Sequence, residues 1–332
     1  MNTTARFSST IRRRLLPLTG VSLVASLALA GCAASSPTGN PDDDTFVLGV
    51  SEVSTEIPFL ATLDDSITAK AEELGMETVI LNGELDIAKQ IANIRTLISQ
   101  QVDAILVITG DPTAPIDAIA EAQEAGIPVF AVNAELDEAA DIVTYIGASD
   151  YDYGVAQGEL LVKALPDGGN AAVILGLLGG VPQVQRLAGL EDALKDHPEI
   201  TIVEQPSDDF DNQKNLAVVQ DLLSKYPEGK LDAIVAQGPQ LYVGANYAQE
   251  QGRDDILFIA GDYPTQIEDA IVSGAIYGSV DQSPVVQGET AAEYAYYWLT
   301  GEKDKVQQPQ FLIDLPAITK ENVEANPSGW GF

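Results

Sequence analysis

"QVDAILVITG" (101–110) returns almost unchanged as "KLDAIVAQGP" (230–239). The echo reaches upstream, where "DIAKQIANIRTLI" (86–98) aligns without gaps on "DNQKNLAVVQDLL" (211–223). A repeat of this kind governs the whole fold, so it is the first feature to explain. Around the first copy, "FVLGV" (46–50), "TVIL" (78–81), "AILVI" (104–108) and "PVFAV" (128–132) are short runs, apolar on both faces as buried parallel strands are. Between them lie amphipathic segments: over 87–100, Ile87, Ile91, Ile94, Leu97 and Ile98 form a one-sided helical stripe. "AGIP" (125–128) stops one helix at a glycine and starts the next strand. Around the second copy, "AAVIL" (171–175), "TIV" (201–203), "AIV" (233–235) and "LFIA" (257–260) read as strands, with helices over 183–194, 213–225 and 242–251. Strands alternating with helices specify a parallel sheet covered on both sides by right-handed crossovers. The expected fold class is α/β, with two doubly wound parallel-sheet lobes of one design. Ligands of such sheets sit beyond the carboxyl ends of the strands, so two lobes facing each other make a clamp.

A chain of 332 residues is comfortable for two lobes, and 45% hydrophobic residues supply a core for each. Its first part is an export signal. Arg6, Arg12, Arg13 and Arg14 precede an apolar run over 15–30 that is too short to span a bilayer. The run ends in Leu29-Ala30-Gly31-Cys32, which resembles the lipobox of bacterial lipoproteins. That resemblance implies acylation of Cys32 as the first mature residue. Cys32 is the only cysteine, so it serves no internal disulfide, and a small, polar, breaker-rich tether follows it to residue 44. Whether the arginines belong to a general or a twin-arginine signal stays open. The leader holds four of the 17 basic residues and no acidic one, leaving 13 against 50, a net charge of −37. Such a field repels nucleic acid and anionic lipid surfaces, so nucleic acid is not an expected partner, and membrane attachment is left to the lipid anchor. Solubility at an exposed cell surface accounts for most of the acidity.

Reactive groups are scarce. The one histidine, His197, sits in "KDHPE" (195–199) at a helix end stopped by Pro198, where a solvated imidazole is the plain reading. With Cys32 assigned to the anchor, there is no cysteine nucleophile, no Cys/His zinc site and no Ser-His-Asp set. The 50 carboxylates give many chance pairs, so no glycosidase pair stands out. "PDDDTFVLG" (41–49) lacks the spaced ligands and final Glu of a calcium loop. "GLLGG" (176–180) follows a strand and precedes a helix, but lacks the Gly-Lys-Ser/Thr of a phosphate loop and the dinucleotide spacing. It reads as a turn whose glycines allow close approach of a ligand or the facing lobe. No enzymatic activity, metal or cofactor is expected.

Across the mature chain, "LGVSEVSTEIPFL" (48–60), "QVDAILVITGDPTAPIDAIAEAQEAGIPVFAVNAE" (101–135), "QVQRLAGLEDAL" (183–194), "AIVAQG" (233–238), "LFIAGDYP" (257–264) and "GSVDQSPVVQG" (278–288) come in a familiar order. They resemble the periplasmic sugar-binding proteins of the ribose/galactose type, which deliver substrates to ABC importers. The resemblance implies the type I periplasmic binding protein architecture, with a hinge of three crossings placed over 148–150, 281–283 and 313–315. It divides the chain into a signal peptide (1–31), the tether (32–44), an N-terminal lobe (45–148 with 283–314) and a C-terminal lobe (149–282 with 315–332). It also implies ligand-binding residues. Phe59 and Phe210 would stack on the C–H face of a sugar, or equally belong to the core. Arg186 would donate to hydroxyls from the second lobe. Asn133, Asp262 and Gln282 stand at strand ends or a crossing, where helix capping and turns are the alternative.

Three departures bear on the ligand. Gly238-Pro239 stands where the family has Asn-Asp, Ile57 replaces a polar residue, and Ala134 replaces an arginine. Fewer polar contacts point away from ordinary ribose or glucose, toward a ligand with fewer or differently placed hydroxyls. The implied function is a lipid-anchored, extracytoplasmic solute-binding protein, a monomer, whose partners are a sugar or polyol-like molecule and an ABC permease. A receptor presenting a chemotactic or quorum signal to a membrane sensor is the alternative. A secreted carbohydrate hydrolase is the more distant one.

Overall fold

The computed structural model describes residues 45–332; the expected leader and the whole tether, Cys32 included, lie outside the described residues. The first half runs β1 (Val47–Glu52), α1 (Pro58–Glu73), β2 (Glu77–Asn82), α2 (Ile87–Gln100), β3 (Ala104–Ile108), α3 (Ile116–Glu124), β4 (Val129–Val132) and β5 (Tyr145–Gly147). The second begins with α4 (Asp150–Ala164), β6 (Gly169–Ile174), α5 (Val181–Ala193), β7 (Ile200–Glu204), α6 (Asn212–Lys225) and β8 (Ala233–Ala236). It continues through α7 (Leu241–Glu250), β9 (Leu257–Gly261), α8 (Thr265–Ser273) and β10 (Gly278–Val280). The chain then adds α9 (Pro284–Leu299), β11 (Gln310–Leu312) and β12 (Ala317–Thr319).

The strand orders are β11-β5-β4-β3-β1-β2 and β12-β10-β9-β8-β6-β7, one plan used twice. The repeated sequence explains itself in hydrogen bonds. Asp103 of the first copy accepts from the Val47 backbone N–H at 2.7 Å, and Asp232 of the second accepts from the Asn170 N–H at 2.7 Å. Each carboxylate stands just before one strand (β3 or β8) and anchors the start of the strand beside it (β1 or β6). Asp86 caps α2 through Ala88 N–H (2.8 Å) and Lys89 N–H (3.2 Å), and Asp211 caps α6 through Gln213 N–H (2.9 Å) and Lys214 N–H (2.8 Å). These side chains satisfy donors that a helix start otherwise leaves unpaired.

The inner strands β1, β3, β4, β8 and β9 are buried on both faces, as their continuous apolar runs require. By contrast β2 and β7, expected from their apolar runs to be equally buried, are edge strands and only partly covered. Leu106 and Ile108 face α1 and α9, while Ile105 and Val107 face α2 and α3. In the second lobe Ile234 faces α6, α7 and α8, and Val235 faces α4 and α5. The edges depart from the repeat. β11, far along the chain, pairs parallel with β5, whereas β12 pairs antiparallel with β10, so the second sheet is not wholly parallel. Ser149 and Ser283 each sit just before the helix that leads away from an early strand-end crossing. Their hydroxyls cap α4 (Asp152 N–H, 3.1 Å) and α9 (Val286 N–H, 3.3 Å). Helix bounds fall within two residues of those expected; α5, for instance, begins at Val181 rather than 183.

Candidate functional site

The carboxyl ends of both sheets carry an unusual backbone. Among the described residues, seven non-glycine positions have positive φ: Gln101 ends α2, and the other six follow strands. Glu84 (55°) and Leu85 (60°) follow β2, as Asp209 (51°) and Phe210 (58°) follow β7; Asn133 (64°) follows β4, as Asp262 (55°) follows β9. Left-handed backbone is unfavourable for side-chain-bearing residues and persists where surrounding structure holds it, commonly at binding sites. The two lobes hold it at matching places.

In the second lobe, three expected site residues share one polar network. Arg186 is buried on α5 and directs Nε to Asp150 Oδ1 at 2.7 Å and Nη1 to the Gln237 carbonyl at 2.9 Å. Its guanidinium lies 4.0 Å from the centroid of the Tyr153 ring. Burial opposes its charge, but Asp150, Tyr153 and Asp262 outweigh burial and hold the guanidinium protonated still more firmly than usual. Asp262 Oδ1 accepts from the Tyr153 hydroxyl at 3.2 Å and from Gln282 Nε2 at 3.3 Å. Burial raises the Asp262 carboxyl to about 6 although Arg186 and its hydrogen bonds pull it down. Asp281, beside it at the crossing, is likewise raised to about 6 by burial and by Asp262.

Phe210 has a different seat. A Cβ added to Gly176 would stand 2.1 Å from Phe210 Cζ, and one on Gly238 2.6 Å from its Cδ1. Only glycine at the ends of β6 and β8 admits this ring. That gives Gly176 of the glycine-rich run, and Gly238 of the unexpected Gly-Pro, a packing reason within one lobe. The half-buried ring is neither core nor free surface.

The first lobe supplies Phe59 and Asn133. Phe59 follows Pro58 in the first turn of α1 and meets Trp330 edge-on, with centroids 5.5 Å apart. Asn133 Nδ2 donates to Gln287 Oε1 of α9 at 3.2 Å, and its carbonyl accepts from the Tyr145 hydroxyl at 3.0 Å. Thus Arg186, Asp262 and Gln282 are joined, and Phe210 rests on neighbouring strand ends. Phe59 and Asn133 belong to the opposite lobe, with no hydrogen bond to that set among the described residues. His197 Nδ1 lies 3.0 Å from Glu199 Oε1 in the turn beyond α5, away from this network.

Sequence reasoning missed Asp150, Tyr153 and Gln237, which hold Arg186 and Asp262 in place; Asp150 sits at a predicted crossing, which was the available signal. It also missed Gln240. One residue past Gly238-Pro239, this side chain is buried, with Oε1 lacking a protein partner, so the end of β8 retains an acceptor after all. Among the described residues, no group of three His, Cys, Asp or Glu side chains is arranged to hold a metal ion.

Two sheets of one plan, with buried polar groups and aromatic rings at their facing ends, define a two-lobed ligand clamp. The family model described as "periplasmic binding protein domain" matches residues 48–303. The chain belongs to this family. It is similar to the ribose import binding protein of Salmonella typhimurium strain LT2, 27% identical over 300 residues, covering 90% of this chain and 97% of that protein. The xylitol-binding protein of Mycolicibacterium smegmatis is 26% identical over 299 residues, covering 90% of this chain and 83% of that protein. Among solved structures, an ABC transporter solute-binding protein from Bacillus halodurans C-125 with bound myo-inositol superposes with a TM-score of 0.77. That chain is 27% identical, with 86% of this chain and 98% of that one covered.

Proposed function

We propose that this protein is the extracytoplasmic solute-binding component of an ABC importer, capturing a sugar or polyol-like molecule between its lobes without covalent chemistry. The observation that carries the reading is the Arg186–Asp150–Tyr153–Asp262–Gln282 network at the strand ends of one lobe, opposed by Phe59 and Asn133 on the other. A cationic fork, a carboxylate and amides suit hydroxyls, and rings suit the C–H faces between them. The ligands named for these relatives, an aldose and two polyols, are of this chemistry. Gln240 adds an acceptor, so the ligand offers a hydroxyl donor near the end of β8.

The lobes we assign are 45–148 with 283–314, and 149–282 with 315–332. Support comes from β11 joining the first sheet and β12 the second. The chain works as a monomer, tethered by an acyl group on Cys32 and read by the importer's permease when closed on its ligand. The lipobox-like Leu29-Ala30-Gly31-Cys32 supports the anchor; Cys32→Ala should release a folded protein from the membrane fraction, and a variant still retained there would refute the acylation.

A thermal-shift screen of aldoses, ketoses, polyols and inositols tests the ligand class. A ligand present at about 100 times its dissociation constant stabilises by roughly 2.7 kcal/mol, a readily measured rise in melting temperature. Unchanged melting across the whole panel would overturn the sugar and polyol reading.

A further inference from the structure

The 328–332 segment follows β12 and returns to the start of α8, just beyond the carboxyl end of β9. It is seated there by many bonds. The Trp330 carbonyl accepts from Thr265 N–H at 2.8 Å and Thr265 Oγ1 at 2.9 Å, at the start of α8. Ser328 donates its hydroxyl to the Tyr263 carbonyl at 2.7 Å and its N–H to Glu268 Oε2 at 2.8 Å. Gln266 Nε2 donates to the Phe332 carbonyl. The rings then run in series: Tyr242 to Phe332 (6.2 Å), Phe332 to Trp330 (6.1 Å), and Trp330 to Phe59 of the first lobe (5.5 Å). Trp330 is only 7% exposed, yet its indole Nε1 is buried without a protein hydrogen-bond partner.

A buried indole N–H normally finds an acceptor, and leaving it unpaired is costly. The rings beside it, Phe59 and Phe332, have no side-chain acceptor to offer. Phe59 stands at the carboxyl end of β1, and Thr265 lies just beyond the carboxyl end of β9, so Trp330 sits where the two lobes' ligand-facing ends meet. We propose that the 328–332 segment is a strap joining the second lobe to the first, and that its Trp330 walls the ligand cleft and donates its indole N–H to a ligand hydroxyl. The inference rests on the reading of the cleft as a sugar or polyol site. The strap makes Trp330 a specificity residue: a ligand must present an acceptor oxygen beside the Phe59 ring, and it must fit against two rings rather than one.

The chain has two tryptophans, so full-length Trp298→Phe leaves Trp330 as the sole indole emitter. Trp298 lies at the far end of α9 against Phe130 and Lys303, outside the cleft. The probes are D-ribose, xylitol and myo-inositol. Any probe that raises the melting temperature of Trp298→Phe should also shift or quench Trp330 emission. Trp330→Phe, which keeps a ring and removes the N–H, should bind that probe at least about fivefold more weakly while melting normally in its absence. Binding with unchanged emission and equal affinity in Trp330→Phe overturns the strap's role and leaves the sugar reading standing. In the free protein, Trp330→Ala and deletion of 328–332 should each increase the radius of gyration in small-angle scattering, because the lobe-to-lobe ring contact is gone. If none of the probes binds, the sugar reading fails for this class, and the scattering decides alone: an unchanged radius in Trp330→Ala overturns the strap.

Discussion

Arg186 directs two of its nitrogens into its own lobe, to Asp150 and the Gln237 carbonyl, while Nη2 makes no hydrogen bond to the described protein. The sequence suggests an arginine with its donors free for a ligand, whose loss leaves melting unchanged. The structure revises this. Arg186→Ala removes the partner of a well-shielded carboxylate as well as a ligand donor, and breaking such a pair is destabilising. We expect both a lower melting temperature and, from the lost charged donor, a ten- to roughly 150-fold weaker affinity. His197→Ala should change neither, because its ring is solvated and pairs only with Glu199. Normal ligand binding by Arg186→Ala would remove this residue from the site. Asp262 gives a second test. With its carboxyl at about 6, it is ionised above pH 7 and gains a proton as pH falls through 6. Affinity for a ligand whose hydroxyl donates to it should therefore be level from pH 8 to 7 and decline below 6. Asp262→Asn should flatten that profile; Asp281→Asn, which removes a neighbour of similar value, should not. A decline that survives in Asp262→Asn would assign the titration elsewhere.

At the scale of elements, β1 and α1 enclose an expensive pair. Glu52 ends β1 fully buried, and Asp64 is buried on α1; each has an oxygen with no protein partner. Burial first, then Asp64, raises Glu52 well above the carboxylate range, and burial with the nearby Asp65 raises Asp64 to about 7. Folded values above unfolded ones mean that the folded protein binds protons more tightly. The associated stability is complete below the ordinary carboxylate range and is lost as pH rises through about 7. Thermal melting should therefore fall between pH 6 and 8, and Asp64→Asn should flatten that slope and raise the melting temperature at pH 8. A wild-type protein with no fall between those values would show that the pair is not titrating there. Much at this scale was readable in the sequence. β3 spans 104–108 and α2 spans 87–100 as the apolar runs and stripe indicate, because long, strongly patterned segments carry their own signal. The three-residue strands β5, β10, β11 and β12 carry almost none, and their partners rather than their residues make them strands. For the site, strand ends pointed to Asn133 and Asp262, but not to their left-handed backbone. Nothing local could pair Trp330 with Phe59, since a contact between distant segments exists only once both lobes are assembled.

The whole molecule repeats one lobe but breaks the repeat where the lobes join. Asp103 and Asp232 do the same work, as do Asp86 and Asp211; the departures are β11, β12 and the strap, all contributed by residues after 300. These departures lace the two halves together, so the molecule can bend only where strands end and helices begin. Ser149 and Ser283 mark two such points, each capping the helix that follows, which lets rotation concentrate in the few residues before the cap. Each lobe has its own cores on both faces of its sheet, so bending repacks neither. The exposed side chains of Leu85 after the edge strand β2, and of Leu177 and Leu178 after β6 beside the edge strand β7, lie on lips toward the sheet edges away from β11 and β12. Closure on a ligand brings such lips toward each other and removes apolar surface from water, at about 25 cal/mol per Å². We therefore expect a saturating ligand to compact the protein in small-angle scattering, and Leu178→Asp to weaken ligand binding from outside the cleft by opposing closure. The variant should fold and melt normally without ligand, since Leu178 is 67% exposed. A scattering profile unchanged at demonstrated saturation would rule out hinge closure while leaving binding intact; compaction with undiminished affinity in Leu178→Asp would keep the hinge and exclude the lips from it.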